Sequence, residues 1–168
     1  VGVLETAGLL TRSLGTGENE IRVLGGGTSV QNSRPGFSAF GGELTIDLGG
    51  DGSGTGPEIQ WGSALFDPDG PNNGIGGLFL NSANADSRLI FWNDMDLNGE
   101  SGVTTRRLES QSSGTNAVAV LMGDLRNSQA GSNPVGIDKT GPGIVALMGS
   151  NSYDGVTTVR ATMPGPVL

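Results

Sequence analysis

Glycine or proline interrupts this chain so often that only residues 78–98 and 103–113 run for more than ten positions without either. A helix needs 8–20 residues with apolar positions three and four apart and few glycines. The centre of 78–98 is rich in Asn, Asp and Ser, which favour turns over helix interiors. Residues 103–113 alternate and read as an exposed strand. Helix is therefore nearly excluded. The 31 glycines follow no three-residue period and prolines number only 8, so a collagen helix is excluded as well.

Short strands punctuated by Gly, Asn and Asp remain, expected at 21–24, 37–40, 44–48, 59–61, 78–80, 88–92, 103–109, 117–122, 144–148 and 156–161. At least one more falls within residues 1–4 or 9–14. Two runs show period-two alternation: Leu44, Ile46 and Leu48 against Thr45 and Asp47, and Val118, Val120 and Met122 against Ala119 and Leu121. The chain is all-β. Aromatics are 5% of residues and the apolar residues are mostly small or aliphatic, which suits a narrow stacked core better than a sandwich about 10 Å thick. The expected fold is a right-handed parallel β-helix (β-solenoid), its strands stacked coil on coil. Roughly 22–24 residues per coil gives about seven coils and a rod on the order of 34 Å long.

Composition removes whole classes of chemistry. There is no cysteine and no histidine, which excludes disulfides, thiolate nucleophiles, Ser-His and Cys-His catalytic pairs and the usual zinc sites. Seventeen acidic residues against nine basic ones give a net charge of −8. That sign repels phosphate backbones and anionic lipid, so neither nucleic acid nor a membrane is an expected partner. No apolar run is long enough to span a bilayer as a helix. The sequence opens at Val1 without a basic and apolar leader, as expected of a processed form or a piece of something longer.

The segment from Ile137 to Val159 carries Lys139, Gly141, Gly143, Leu147, Gly149, Asn151, Tyr153, Gly155, Thr157 and Val159 at characteristic spacing. It resembles the autotransporter passenger-associated β-strand repeat, with Ile137 standing for Leu. Ile144, Met148 and the run Met163-Pro164-Gly165-Pro166 depart from that pattern. Upstream, 36–50, Trp61-Gly62-Ser63 and 94–99 look like the regions that precede such repeats in large bacterial surface proteins. The resemblance implies a right-handed parallel β-helix, exported to the outside or the cell surface of a Gram-negative-type bacterium. In the repeat, Gly141 and Gly143 are expected to take a sharp corner with positive φ, and Asn151 and Tyr153 to seal the next one. A single domain over 1–168 is expected, comprising an N-terminal coil or arm (1–35), central coils (36–136), the passenger-type repeat (137–163) and a C-terminal extension (164–168).

Three kinds of site compete with a purely structural role. Asp67 with Asp69, and Asp94 with Asp96, are spaced to serve as an acid–base pair if they lie on a strand. The alternative, solvated turn residues, fits the loop Asp67-Pro68-Asp69-Gly70 better, and no catalytic residue is expected. Asp94-x-Asp96-x-Asn98-Gly99 copies the first half of an EF-hand loop, but its twelfth position is Thr105. Asp67, Asp69 and Asn72 offer a second oxygen cluster. No cofactor is expected; calcium is the metal those oxygens suit, with Asx turns as the alternative. The glycine pairs and triplets precede no helix and form no nucleotide loop. Arg106-Arg107 reads as a solvated strand face. Trp61, Trp92 and Tyr153 either stack on sugar rings or cover a coil, the latter being the commoner use.

A non-enzymatic structural protein is thus expected, assembling head-to-tail with copies of itself into an extracellular fibre, sheath or filament. Val1, Val3, Leu4, Val167 and Leu168 are the self-assembly residues, because uncapped solenoid ends display unpaired backbone groups. The alternative is an adhesin module that binds a surface glycan through a lateral face.

Overall fold

The computed structural model of this chain describes residues 2–26, 34–70, 76–100, 102–129 and 133–160, and those residues contain strands and no helix. The strands are β1 (Gly2–Leu10), β2 (Val23–Leu24), β3 (Pro35–Ile46), β4 (Ile59–Gln60), β5 (Phe66–Asp67), β6 (Leu78–Leu80), β7 (Leu89–Phe91), β8 (Met95–Asp96), β9 (Thr105–Glu109), β10 (Ala119–Leu121), β11 (Leu125–Arg126), β12 (Gly136–Thr140), β13 (Val145–Leu147) and β14 (Thr158–Val159). Every pairing between these strands is parallel. A two-residue hairpin cannot join parallel neighbours, so the chain travels away and returns before each pairing.

The largest sheet has nine strands and curls. Its organiser is β3, which is long enough to serve two arms. The first half of β3 pairs with β6, and that arm continues through β9 and β12 to β14. The second half pairs with β7, and that arm continues through β10 to β13. The strand bends between its halves at Gly41 and Gly42, whose φ values of 75° and 149° L-residues rarely adopt. On the other side of β3, β1 lies along both halves, with a register shift between Thr6 and Gly8 that matches the bend. A three-stranded sheet β11-β8-β4 and the pair β2-β5 complete the structure.

The core lies inside the curl. Phe37, Leu80, Leu108 and Ile137 enter it from one arm, Ile46, Phe91 and Leu121 from the other, and Ile59, Met95 and Leu125 from the three-stranded sheet. All ten are at most 2% exposed, and each such burial stabilises by about 1.5–3 kcal/mol. Residues in register repeat the same role: Ile46, Phe91 and Leu121 are direct neighbours across three strands. In 44–48 Leu44, Ile46 and Leu48 are buried as expected, but Asp47, expected to alternate with them, is buried too, where it accepts the N–H groups of Gly52, Gly54 and Gly56. In 117–122 the core takes Ala119 and Leu121, while Val118, Val120 and Met122 stay half-buried. The register explains this, since Ala119 and Leu121 continue the row of Leu89 and Phe91.

The expected uniform repeat of 22–24 residues is not what the registers show. Gly36 pairs with Phe79, 43 residues on. Leu78 pairs with Leu108, 30 on. Thr105 pairs with Gly136, 31 on. Among the pairings of the described strands only Asp138 with Thr158, 20 apart, is shorter than expected, and the isolated parallel bridge between Leu14 and Ile21 spans 7. Loops cause the difference. The chain after Leu48 wraps a glycine-rich loop around Asp47, and the stretch before β6 carries β5 as an extra strand.

Candidate functional site

The loop carboxylates that suggested acid–base or calcium chemistry are engaged by the protein's own backbone and core. Asp94 Oδ1 accepts the Asp124 N–H at 2.7 Å, and Asp124 Oδ1 in turn accepts the Ser150 N–H at 2.5 Å, a ladder running along the stack of turns. Asp96 Oδ1 accepts the N–H groups of Asn98 (2.9 Å) and Ser128 (3.0 Å). Burial alone would raise the Asp96 pKa, but the Ser128 and Asn98 hydrogen bonds and nearby Arg126 outweigh it and hold the group below the usual range. Asn98 takes the positive φ of 47° at this turn, and its amide donates to the Trp61 carbonyl at 3.1 Å. These are Asx-type turns. Asn72 lies outside the described residues, and among those described no group of three or more acidic side chains is placed to hold a metal ion.

Asp69 faces inward. Its Oδ2 accepts Trp61 Nε1–H at 2.8 Å and Arg106 Nη1–H at 2.7 Å. Arg106 also donates through Nε to the Leu97 carbonyl at 2.8 Å and through Nη2 to the Asn98 carbonyl at 2.9 Å, and its guanidinium lies 5.7 Å from the Trp61 ring centroid. Burial pushes the Asp69 pKa up, while Arg106 and Trp61 pull it back only in part. Asp67 is also raised, again mainly by burial. The expectation of a solvated Arg106-Arg107 face is corrected here: Arg106 is 1% exposed. With Asp69 committed to a buried ion pair, Asp67 and Asp69 do not form a pair of carboxylates open to a substrate. Trp61 is fully buried against Phe66, so it covers the core and cannot stack on a ligand.

The remaining candidates are the strands at the two ends of the pairing order. Val3 (half-buried) and Leu4 (45% exposed) lie on β1; Val1, Val167 and Leu168 lie outside the described residues. One edge of β1 pairs with β3, and among the described residues the other edge has no strand partner. At the opposite end, among the described residues, β13 pairs only with β10, and β14 only with β12. Six of the eight exposed large hydrophobics among the described residues lie at these same places: Leu4 and Leu9 on β1, and Ile144, Met148, Val156 and Val159 on or beside β13 and β14; the other two, Leu24 and Phe40, belong to β2 and to the central β3. Among the described residues β4 to β12 expose none.

No family model, curated protein or solved structure matches this chain. The terminal strands therefore carry the reading on their own geometry. Sequence reasoning missed Leu9, Ile144, Met148, Val156 and Val159 as surface residues because each looks like an ordinary inward strand position. It also missed Asn81, Asn93 and Asn127, whose burial in corners becomes visible only when the turns are stacked.

Proposed function

We propose that the chain is a right-handed parallel β-helix acting as a non-enzymatic structural unit that stacks end to end with copies of itself outside the cell. Parallel strands joined by crossovers in one sheet are right-handed in nearly all proteins, and the registers of both arms advance in one direction along the chain. The extracellular setting rests on the resemblance of residues 137–159 to a surface-protein repeat.

The concentration of exposed apolar side chains on the terminal strands, six of the eight large ones among the described residues, supports the assembly reading. All pairings are parallel and β1 lies along both arms, so the edges of β13 and β14 that have no strand partner among the described residues have the polarity needed to receive the two halves of β1 from the next copy. Leu4 would then meet the arm that ends at Val159, and Leu9 the arm that ends beside Met148. Such a contact joins two different surfaces and does not close on itself, so it propagates.

Light scattering and negative-stain microscopy across a concentration series test this, with Leu9→Glu and Val159→Glu as one-ended caps. The wild type should lengthen with concentration and each variant alone should shorten. An equimolar mixture of the two should stop at dimers, because each supplies the end the other has lost. A wild-type chain that stays monomeric throughout, or a mixture that polymerises like wild type, refutes the reading.

A further inference from the structure

Asp67-Pro68 is the one Asp–Pro peptide bond in the sequence, and glycine backbone closes around it from two sides. The Asp67 carbonyl oxygen accepts two N–H groups, from Gly25 at 2.7 Å and from Gly70 at 3.1 Å. The first extends the parallel pairing of β2 with β5. The second closes the turn Asp67-Pro68-Asp69-Gly70, with proline in the place that favours it. Glycine is needed at both donors. A Cβ on Gly25 would lie 2.6 Å from the Gly70 nitrogen and 2.6 Å from the Pro68 carbonyl oxygen, and Gly70 takes a φ of 77°.

We propose that Asp67–Pro68 is a self-cleavage site, at which the Asp67 carboxylate attacks its own main-chain carbonyl carbon between these two donors. One carboxylate oxygen bonds to that carbon, and negative charge moves onto the carbonyl oxygen. Collapse of this intermediate breaks the C–N bond and leaves a cyclic anhydride on Asp67. The electron pair goes to the Pro68 nitrogen, which takes a proton from water and departs as an amine. The hydroxide left behind opens the anhydride. One water is consumed in all, and the products are chains 1–67 and 68–168.

The geometry favours each part of this step. Charge develops on the oxygen that Gly25 and Gly70 already hold, at the distances that suit an oxyanion hole. Nucleophile and target belong to one residue, so no encounter has to be arranged. The Gly70 N–H also bonds to the Asp67 carboxylate, so a single donor ties the attacking group to the attacked oxygen. Asp67 is half-buried, and burial raises its pKa against the pull of Arg106 and the Gly70 N–H, with Asp69 adding repulsion. Part of the water that would blunt the carboxylate is therefore already gone. On the leaving side, the Pro68 nitrogen has no N–H and so gives up no hydrogen bond. Pro68 itself is buried, and its carbonyl is held by the Gly77 N–H at 3.2 Å.

A cut here would not release either piece. Residues 1–67 supply β1 to β5 and residues 68–168 the other strands, yet β3 pairs with β6 and β7, and β4 with β8. The product is a nicked protein that keeps its sheets.

Intact-mass spectrometry of the folded full chain tests this, in a mildly acidic buffer beside a synthetic peptide of residues 62–70. The peptide has the same bond and lacks the Gly25 donor. The folded chain should yield 1–67 and 68–168 at least about tenfold faster than the peptide is cut, since one such donor is worth about 10²–10³ in rate at an oxyanion hole. The nicked protein should elute from a sizing column as the intact one does, its pieces separating only in denaturant. Asp67→Ala should abolish the cut. Gly25→Ala, whose Cβ displaces the donor, should slow it toward the rate of the peptide, with circular dichroism confirming that strands are retained. The proposal is overturned if the folded chain is cut no faster than the peptide. It is equally overturned if Asp67→Ala, or a folded Gly25→Ala, is cut at this bond as fast as wild type.

Discussion

Replacing Asn81 by alanine removes one side chain that ties three separate stretches of backbone together. Asn81 is fully buried at the corner after β6, with a positive φ of 68°. Its Oδ1 accepts the Ala39 N–H at 3.0 Å, and its Nδ2 donates to the Ala117 carbonyl at 3.0 Å and the Ser87 carbonyl at 3.3 Å. Ala39, in β3, and Ala117, just before β10, are 78 positions apart in the chain, so the amide acts as a rivet between distant segments. Alanine leaves the Ala39 N–H and the Ala117 carbonyl buried without this partner, at about 1–3 kcal/mol each. It also places a Cβ without a compensating polar group at a left-handed φ, for about 1 kcal/mol more. The expected loss is about 3–7 kcal/mol, a large share of the 5–15 kcal/mol that holds a domain together. Asn81→Gly relieves the backbone and not the hydrogen bonds, so it should be about 1 kcal/mol milder than alanine. Urea denaturation followed by far-UV circular dichroism reads both values. A loss below about 1 kcal/mol for Asn81→Ala would show that water or local rearrangement replaces the amide, and the riveting argument would fail.

Two carboxylates should respond to acid in opposite senses. Burial raises the Asp47 pKa, but N–H groups of Gly52, Gly54, Gly56 and Thr55 outweigh it and lower the pKa overall, so its stabilisation is present above the usual value of 3.8 and is lost as pH falls through the lowered folded value. Asp47→Asn should therefore cost about 2–3 kcal/mol near neutral pH and flatten the acid limb of the stability curve; parallel limbs would count against it. Asp69 is raised instead, so its folded form gains stability relative to the unfolded chain as pH falls through that raised value. Arg106→Met should cost about 3–5 kcal/mol at neutral pH, by stranding the Asp69 charge, and recover part of it on mild acidification. Adding Asp69→Asn to Arg106→Met should cost less than the sum of the single losses, with a coupling of about 1–3 kcal/mol by double-mutant cycle. Strict additivity would mean that the two groups do not act as a pair.

What the sequence shows, and what it hides, follows from the length of the elements. Leu78–Leu80 is bounded by Gly77 and Asn81, and both its strand and its limits are legible. The pairs Met95–Asp96 and Leu125–Arg126 are too short for any alternation to register, so β8 and β11 escape sequence reading although they carry one wall of the core. Within the repeat, Gly141 takes the expected positive φ of 82°. Gly143 is required for closeness instead, since a Cβ there would lie 2.2 Å from Ser110 Oγ. Asn151 does seal a corner, accepting the Leu125 N–H at 3.0 Å, and Tyr153 shares a 2.6 Å hydrogen bond with Thr157. Arg106 misled because charge in an alternating strand ordinarily faces water. Its partner, Asp69, sits 37 residues earlier in what reads as a loop, and no local pattern joins the two.

Those registers also set how the molecule would answer a pull. Thirty residues separate Leu78 from its partner Leu108, yet the two strands stand only about 4.8 Å apart. Drawn out, the same thirty residues reach about 100 Å. Tension that strips one strand from the end of a sheet thus releases roughly twenty times the length it removes, and the strand beneath it keeps its own bonds. Built this way, a tether yields in separate instalments, and the buried asparagine and aspartate clamps decide the force at which each is let go.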